Sequence, residues 1–427
     1  MIQFSYVLAA IAVFLWGMRV VNSHTKDKAL SMLIGFVVAS MAAPISDSLF
    51  VWAVELILII ILINKRTQVN LRLSECRIYI IFLIWVVFTL SYTDNIVRGF
   101  RGLMMYIFPL FYYALSVLAF RTIDDINRFF NNVNKSSPYF VVLGLFAMFV
   151  GQFSTIQVYY GMSICVIPFT LYIKDKKKKS LLFLILCSVP SVLLIKRTPL
   201  LGMAIAISIY AILIYKAKAL VPIFVSIVAS LILVISIPQF RDKLFFGGGD
   251  MTLMEISKNQ DVGDNINTSG RNVFWAYLFD KYVSQSPFVG AGVGSVKAFV
   301  QSDKNEYKES FFMVHNDWLL ILCEMGLVGV SLLLSFFISV FIKCKKYASK
   351  RYPRDVRLVS AACAGSLLST MMHMFFENCM NSFIFPTFFI FYALFNVYIK
   401  DYKNKLKIIK YEKEASNIPS PNCTISD

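Results

Sequence analysis

Charge is scarce in this chain. Asp, Glu, Lys and Arg make up 16% of its 427 residues, and histidine occurs only at His24, His315 and His373. The eight cysteines are scattered singly in or beside apolar runs, and no two form a C-x-x-C pair. That excludes a zinc-finger pattern and a disulfide framework. Ahead of Arg19 the first apolar run has no Lys or Arg, so it lacks the basic flank of a cleaved secretory signal and is expected to stay as a helix. No internal repeat stands out.

What fills the space is apolar: 58% of residues are hydrophobic and the mean hydropathy is +0.66. A soluble fold cannot hide that much apolar surface, whereas a polytopic membrane protein leaves it facing lipid. One crossing takes about 20 apolar residues. Such runs fall near 4–22, 29–46, 48–64, 77–92, 102–120, 137–152, 156–173, 180–195, 199–215, 219–237, 317–342, 357–376 and 380–399. The expected fold is therefore all-α, a polytopic integral membrane protein with about 12 (11–13) transmembrane helices. The second and third runs can also form one broken element around Pro44 and Asp47, which would reverse the side of the N-terminus.

The net charge of +17 is concentrated in blocks: Lys65 to Arg77, Lys174 to Lys179, Lys343 to Arg357, and Lys400 to Lys413. Basic loops stay cytoplasmic, and these blocks alternate correctly with the runs between them. Topology accounts for them without nucleic acid. The segment from Pro238 to Val314 holds eight Lys/Arg against nine Asp/Glu, which places it on the opposite face as one large loop. Within it, Thr268 and Ser269 precede Gly270 and Arg271 like a helix start, and Val273, Phe274, Tyr277, Leu278 and Tyr282 recur at helical spacing. The loop is thus expected to contain short helices. Gly290-Ala291-Gly292-Val293-Gly294 invites comparison with a nucleotide-binding loop, but the strand and helix that such a motif requires are missing. A glycine turn bringing backbones close is the expected role.

Cations that break the orientation rule are informative. Arg98, Arg101, Lys196, Arg197 and Arg271 are all expected at external helix ends, joined by His315. Singly, each reads as a side chain reaching the interface; together they suit an anion-binding mouth, since the guanidinium fork donates paired hydrogen bonds to phosphate. Glu55, Glu324, His373 and Glu377 are costly in a bilayer unless paired or lining a cavity. His315 is either a functional group or a cap for the helix beginning at 317, a role that Asn316 or Asp317 would fill equally well. Asp317 and Glu377 are external carboxylates suited to orient His315 or to bind sugar. Trp275, Tyr277 and Trp318 are expected chiefly to anchor at the interface.

The stretches "KRTPLLG", "SGRNVFWAYLFDKYVSQSPFVGAGVGS" and "VHNDWLLILCEMGLVG" resemble successive signatures of bacterial O-antigen polymerases and O-antigen ligases. The resemblance runs from about Lys196 to Gly329. It implies a multi-pass enzyme of the bacterial inner membrane with its active site facing the periplasm. The segments would then be 1–237 (transmembrane), 238–316 (large periplasmic loop), 317–400 (transmembrane) and 401–427 (basic cytoplasmic tail). It further implies that Arg197 and Arg271 hold the pyrophosphate of an undecaprenyl-linked sugar and that His315 acts in catalysis. Lys196 stands where the family usually has serine, and a lysine there still serves an anion. Arg98, Arg101, Asn316, Asp317 and Glu377 are secondary candidates. No metal site and no cofactor are expected.

The chemistry agrees with those roles. Breaking a sugar–pyrophosphate bond puts charge on the leaving group, which fixed cations stabilise. A sugar hydroxyl is a poor nucleophile and needs a base near neutrality, which histidine supplies. The resemblance implies first an O-antigen or capsular polysaccharide polymerase, transferring a growing undecaprenyl-pyrophosphate-linked glycan onto the next lipid-linked repeat unit; the alternative is a ligase transferring it to lipid A-core, and a flippase for the same lipids ranks behind both. A flippase would be expected to show repeats and interrupted helices with midplane charges. A chain-length regulator and a flippase of the same pathway are the implied protein partners.

Overall fold

The computed structural model describes residues 15, 73–135, 162–176, 178–193, 196–238, 270–307, 310–311, 313–381 and 384–416. Apart from Leu15, the runs expected over 4–64 and 137–152, with Glu55, His24, Thr268 and Ser269, lie outside the described residues.

All regular structure among the described residues is helical. In chain order the helices used below are α1 Arg77–Thr89, α2 Ile96–Ala119, α3 Val166–Asp175, α4 Lys178–Leu193, α5 Arg197–Tyr215, α6 Leu220–Ser236, α7 Arg271–Leu278, α8 Ser295–Val300, α9 Asp317–Tyr347, α10 Arg354–Phe376 and α11 Ile384–Ser416. Five segments are long and apolar enough to cross a bilayer: Leu73–Tyr92, Ile96–Leu118, Arg197–Ala229, Asp317–Tyr347 and Arg354–Phe376. The chain is thus a multi-pass membrane protein, although five such segments among the described residues fall short of the expected dozen. The runs at 156–173 and 180–195 include helices of only 10 and 16 residues.

The main core is aromatic. Tyr79 of α1, Phe336 and Phe337 of α9, and Phe385, Phe388 and Phe389 of α11 are all fully buried. Most of their rings meet edge-on or tilted, as at Tyr79–Phe389, where the centroids are 4.8 Å apart, and Phe336 stacks on Phe389. Beside this core α5 and α10 pack through small residues. A Cβ on Gly365 would strike the Ala206 carbonyl, and one on Gly202 would press on Met162 and Ser369. Small residues let helix backbones approach this closely in a membrane.

The basic blocks gather at one end. Lys174 pairs with Asp355 at 2.8 Å, and Lys343 pairs with Glu75 and donates to Asn396 at 2.7 Å. Arg354 donates to the Ile173 carbonyl, while Arg357 donates to those of Ile214 and Ala348, so two cations serve carbonyls at three helix C-termini. Helix α5 runs from Arg197 to this basic end, so Arg197 stands about 28 Å away, at the other end.

Two sequence expectations change here. The run at 380–399 opens instead with a 3-10 turn at Cys379–Asn381, and α11 continues to Ser416 through the basic stretch expected as a tail. That stretch has no Gly or Pro to stop a helix. The run at 317–342 is not one straight crossing. Gly326 has φ 66 and ψ −169, and the Trp318 and Phe337 rings lie 6.0 Å apart although an unbroken helix would separate those residues by about 28 Å. Helix α9 therefore doubles back at Gly326.

The segment Pro287–Gly294 fills that break. Ala291 and Gly292 N–H groups donate to the Cys323 and Glu324 carbonyls at 2.9 and 2.8 Å, and Leu327 N–H donates to Pro287 O at 2.8 Å. Trp85 of α1 donates to the Met325 carbonyl at 3.0 Å. Every backbone group opened by the turn needs such a partner, because lipid offers none.

A candidate anion and general-base site

A second, smaller core holds the site in place. Phe274 and Leu278 of α7 are buried with Val296, Val300, Val314 and Leu320. Phe274 stacks on Phe311 with centroids 4.9 Å apart, and Trp275 donates its indole N–H to the Val314 carbonyl at 2.7 Å. The chain enters α7 through Gly270 at φ 74, so the helix begins on a left-handed glycine and has no side-chain cap there. Arg271 is its first residue. From there its Nη1 donates to the Phe376 carbonyl at the end of α10, at 2.8 Å.

His315 occupies the left-handed region at φ 51, which costs a non-glycine residue about 1–2 kcal/mol. Its backbone N–H donates to Asn378 Oδ1 at 3.2 Å, and its Nδ1 lies 3.3 Å from Glu377 Oε2. Asn316 caps α9 by accepting from Leu319 N–H at 3.0 Å, so His315 is not the cap. Asp317 is fully buried, and its Oδ2 accepts from Met380 N–H at 2.9 Å. Of the two carboxylates named from sequence, Glu377 meets the imidazole and Asp317 holds the returning chain.

Burial pushes the Glu377 carboxyl up, but the His315 hydrogen bond and the charges of Arg271, His315 and His373 outweigh it, so its pKa lies below the usual carboxylate range. A depressed carboxylate contributes stability above the unfolded pKa, about 4.3, and that stability is lost as pH falls through the lower folded value. Glu377→Gln is therefore expected to flatten the acid side of a melting-temperature profile below about pH 4.3. An unchanged acid limb would show that the carboxylate is not held this way.

Arg197 is the first residue of α5, and its guanidinium stands close enough to Arg271 for the two charges to oppose each other. Both cations sit on the first turn of a helix, the end where a positive charge is unfavourable and an anion favourable. Arg271 is also within electrostatic reach of the Glu377 carboxylate. Lys196 is half-buried beside Arg197, with its N–H on the Ser191 carbonyl.

Arg98 and Arg101 are not brought to this cluster. They lie on the first turns of α2, whose backbone is packed by Gly294, and neither side chain makes a hydrogen bond or ion pair among the described residues. Trp275, Tyr277 and Trp318 are packing groups: Trp318 donates to the Met371 carbonyl at 3.0 Å, and the Tyr277 ring lies 5.4 Å from that of Tyr307.

The glycine motif has a use that its sequence conceals. Backbone N–H groups of Gly294, Val296 and Lys297 point at the buried Glu324 carboxylate, so the turn cradles an anion that belongs to the protein itself. Asn378 went unrecognised in the sequence; its only signal was adjacency to Glu377.

Residues 181–334 match the Wzy_C family model, described as O-antigen ligase, in agreement with the resemblance noted from sequence. Arg197, Arg271 and His315 fall inside the match, and Glu377 and Asn378 outside it. No curated protein matches the chain.

Proposed function

We propose that this membrane protein is a metal-independent glycosyltransferase of the bacterial inner membrane, and specifically an O-antigen or capsular polysaccharide polymerase. It would transfer a growing undecaprenyl-pyrophosphate-linked glycan onto the next lipid-linked repeat unit at the periplasmic face. The observation that carries this is Arg271, within electrostatic reach of Arg197 on one side and of the His315–Glu377 pair on the other.

The two guanidiniums would hold the donor's pyrophosphate and stabilise the charge it gains as the bond to the anomeric carbon breaks. With Nδ1–H donated to Glu377, the imidazole presents Nε2 as the base. Nε2 takes the proton of the acceptor hydroxyl as its oxygen bonds to the anomeric carbon, and the lipid pyrophosphate departs. Glu377 orients the ring and compensates the imidazolium.

Loss of one charge-assisted contact costs roughly 1.5–3 kcal/mol. Arg271→Ala is therefore expected to reduce transfer about ten- to hundredfold, with Arg271→Lys between it and wild type because the paired fork is lost. Arg197→Gln should show a similar defect in activity with an unchanged or slightly higher melting temperature in the absence of substrate, since it removes a cation from a helix start. A large fall in its melting temperature would make Arg197 a structural residue.

A ligase reading shares this donor chemistry, and the matching family model does not choose between the two; the acceptor alone differs. The interrupted helix expected of a carrier does occur, at Gly326, but protein backbone fills the break. The glycan profile of a deletion strain separates the three. Core capped by a single repeat unit supports the polymerase. Core without any glycan supports the ligase, and internal accumulation supports a flippase.

A further inference from the structure

A polymerase of this kind handles two lipid-linked glycans at once, and the cluster at Arg197 and Arg271 accounts for only one pyrophosphate. We propose that Arg98 and Arg101 form the seat for the second, the pyrophosphate of the acceptor lipid. The inference rests on the donor reading above and adds to it the place of the other substrate.

Arg98 and Arg101 are three residues apart on α2 and so share a face. Helix α1 leads away from the basic end, where Cys76 is flanked by the Glu75–Lys343 pair, and α2 starts just after it, so both arginines lie at the same end of the bundle as Arg197. Neither forms an ion pair among the described residues, and Asp94, four residues before Arg98, pairs with neither. The backbone beneath them is fixed. Asn95 Oδ1 accepts the Arg98 N–H at 3.0 Å, Thr93 donates to Val293 O at 2.8 Å, and a Cβ on Gly294 would strike the Arg98 carbonyl. Two cations are thus carried on a rigid helix end.

Beside them is an apolar surface. Ile96, Val97 and Phe100 are 51%, 61% and 54% exposed, and Phe288 of the inserted loop is 67% exposed. Paired cations for a diphosphate next to bare aliphatic and aromatic surface for a long hydrocarbon tail match a polyprenyl pyrophosphate in both halves.

The role also sets where the seat must lie. An acceptor attacks with the sugar farthest from its lipid, so its pyrophosphate belongs one repeat unit away from the base. Lys297 marks the interval. Its amine donates to Met105 Sδ at 2.8 Å, one turn beyond Arg101, and it stands within electrostatic reach of Asp317, two residues from His315. Lys297, which also faces the buried Glu324, thus lies between the α2 helix that carries the proposed seat and the chain that leads to the base.

The test is the stoichiometry of undecaprenyl pyrophosphate bound to the purified full-length protein in phosphatidylcholine nanodiscs, read by native mass spectrometry. Wild type should bind two molecules. R98Q/R101Q should weaken one of them at least about tenfold and leave the other unchanged, while R197Q/R271Q should do the reverse. Arg98→Lys with Arg101→Lys should recover part of the lost affinity, which a folding defect would not allow. Two molecules bound at wild-type affinity by R98Q/R101Q would overturn the proposal while leaving the donor site standing. So would displacement of the second molecule by an equal amount of phosphatidylglycerol, which would mark an ordinary contact with anionic lipid. If neither double variant changes binding, the donor reading fails as well.

Discussion

His315→Ala is expected to stop glycan transfer almost completely, by about 10²–10⁴-fold, while lipid-pyrophosphate binding and the amount of protein in the membrane stay near wild type. The argument begins with what the side chain does not do. Asn316, not His315, caps α9, and among the described residues the imidazole has one partner, Glu377, at 3.3 Å. It is a quarter exposed, so truncation opens no cavity in the core. The backbone at φ 51 is a conformation that alanine also resists, so His315→Gly and His315→Asn are useful companions. Both tolerate the left-handed geometry, and both lack a base. All three should be inactive if proton transfer is the role. An active His315→Gly would assign the residue to chain geometry alone, and the general-base mechanism would have to be abandoned. Glu377→Gln keeps a hydrogen-bonding partner but removes the charge that compensates the imidazolium. It should fall between these variants and wild type.

Gly326→Ala is expected to prevent accumulation of folded protein. At φ 66 and ψ −169 the residue lies in a region open essentially to glycine, with a cost of about 1–3 kcal/mol for other residues. Sterics add to this, because an added Cβ would run into the Phe288 carbonyl, which belongs to backbone that cannot swing aside. Moving Phe288 would break the Pro287–Leu327 and Phe288–Val328 hydrogen bonds that close the turn in α9. Total stabilities are about 5–15 kcal/mol, so the combined loss is large. Size-exclusion chromatography of detergent extracts reads the outcome. A monodisperse, active Gly326→Ala protein would mean that α9 runs straight and that Trp318 does not return to Phe337.

Much of the class of this protein was legible without coordinates. Hydropathy depends on composition, so long apolar runs announced a membrane protein. Charge obeys a rule about sides, so Lys174, Lys343 and Arg357 were assigned together and do share one end. Arg197, Arg271 and His315 were picked out as cations and a base in the wrong company. Residue type is enough for that.

What only the tertiary structure decided was direction and partnership. A hydropathy window sees the run from Asp317 as continuous, because a left-handed glycine reverses a helix without altering its apolarity; the doubling back of α9 was therefore invisible. Asp317 and Glu377 stood as equal candidates for the partner of His315, although Asp317 is two positions away and Glu377 is 62. The cap at Asn316 and the return of the chain at Met380 turn Asp317 inward and bring Glu377 to the imidazole. The five external cations formed one list in the sequence. In space they part, because Arg271 reaches the end of α10 within electrostatic range of Arg197, while Arg98 and Arg101 ride on α2 against the glycine loop. That loop has the composition of an anion cradle, and the anion it holds, Glu324, comes from the helix it was folded to repair.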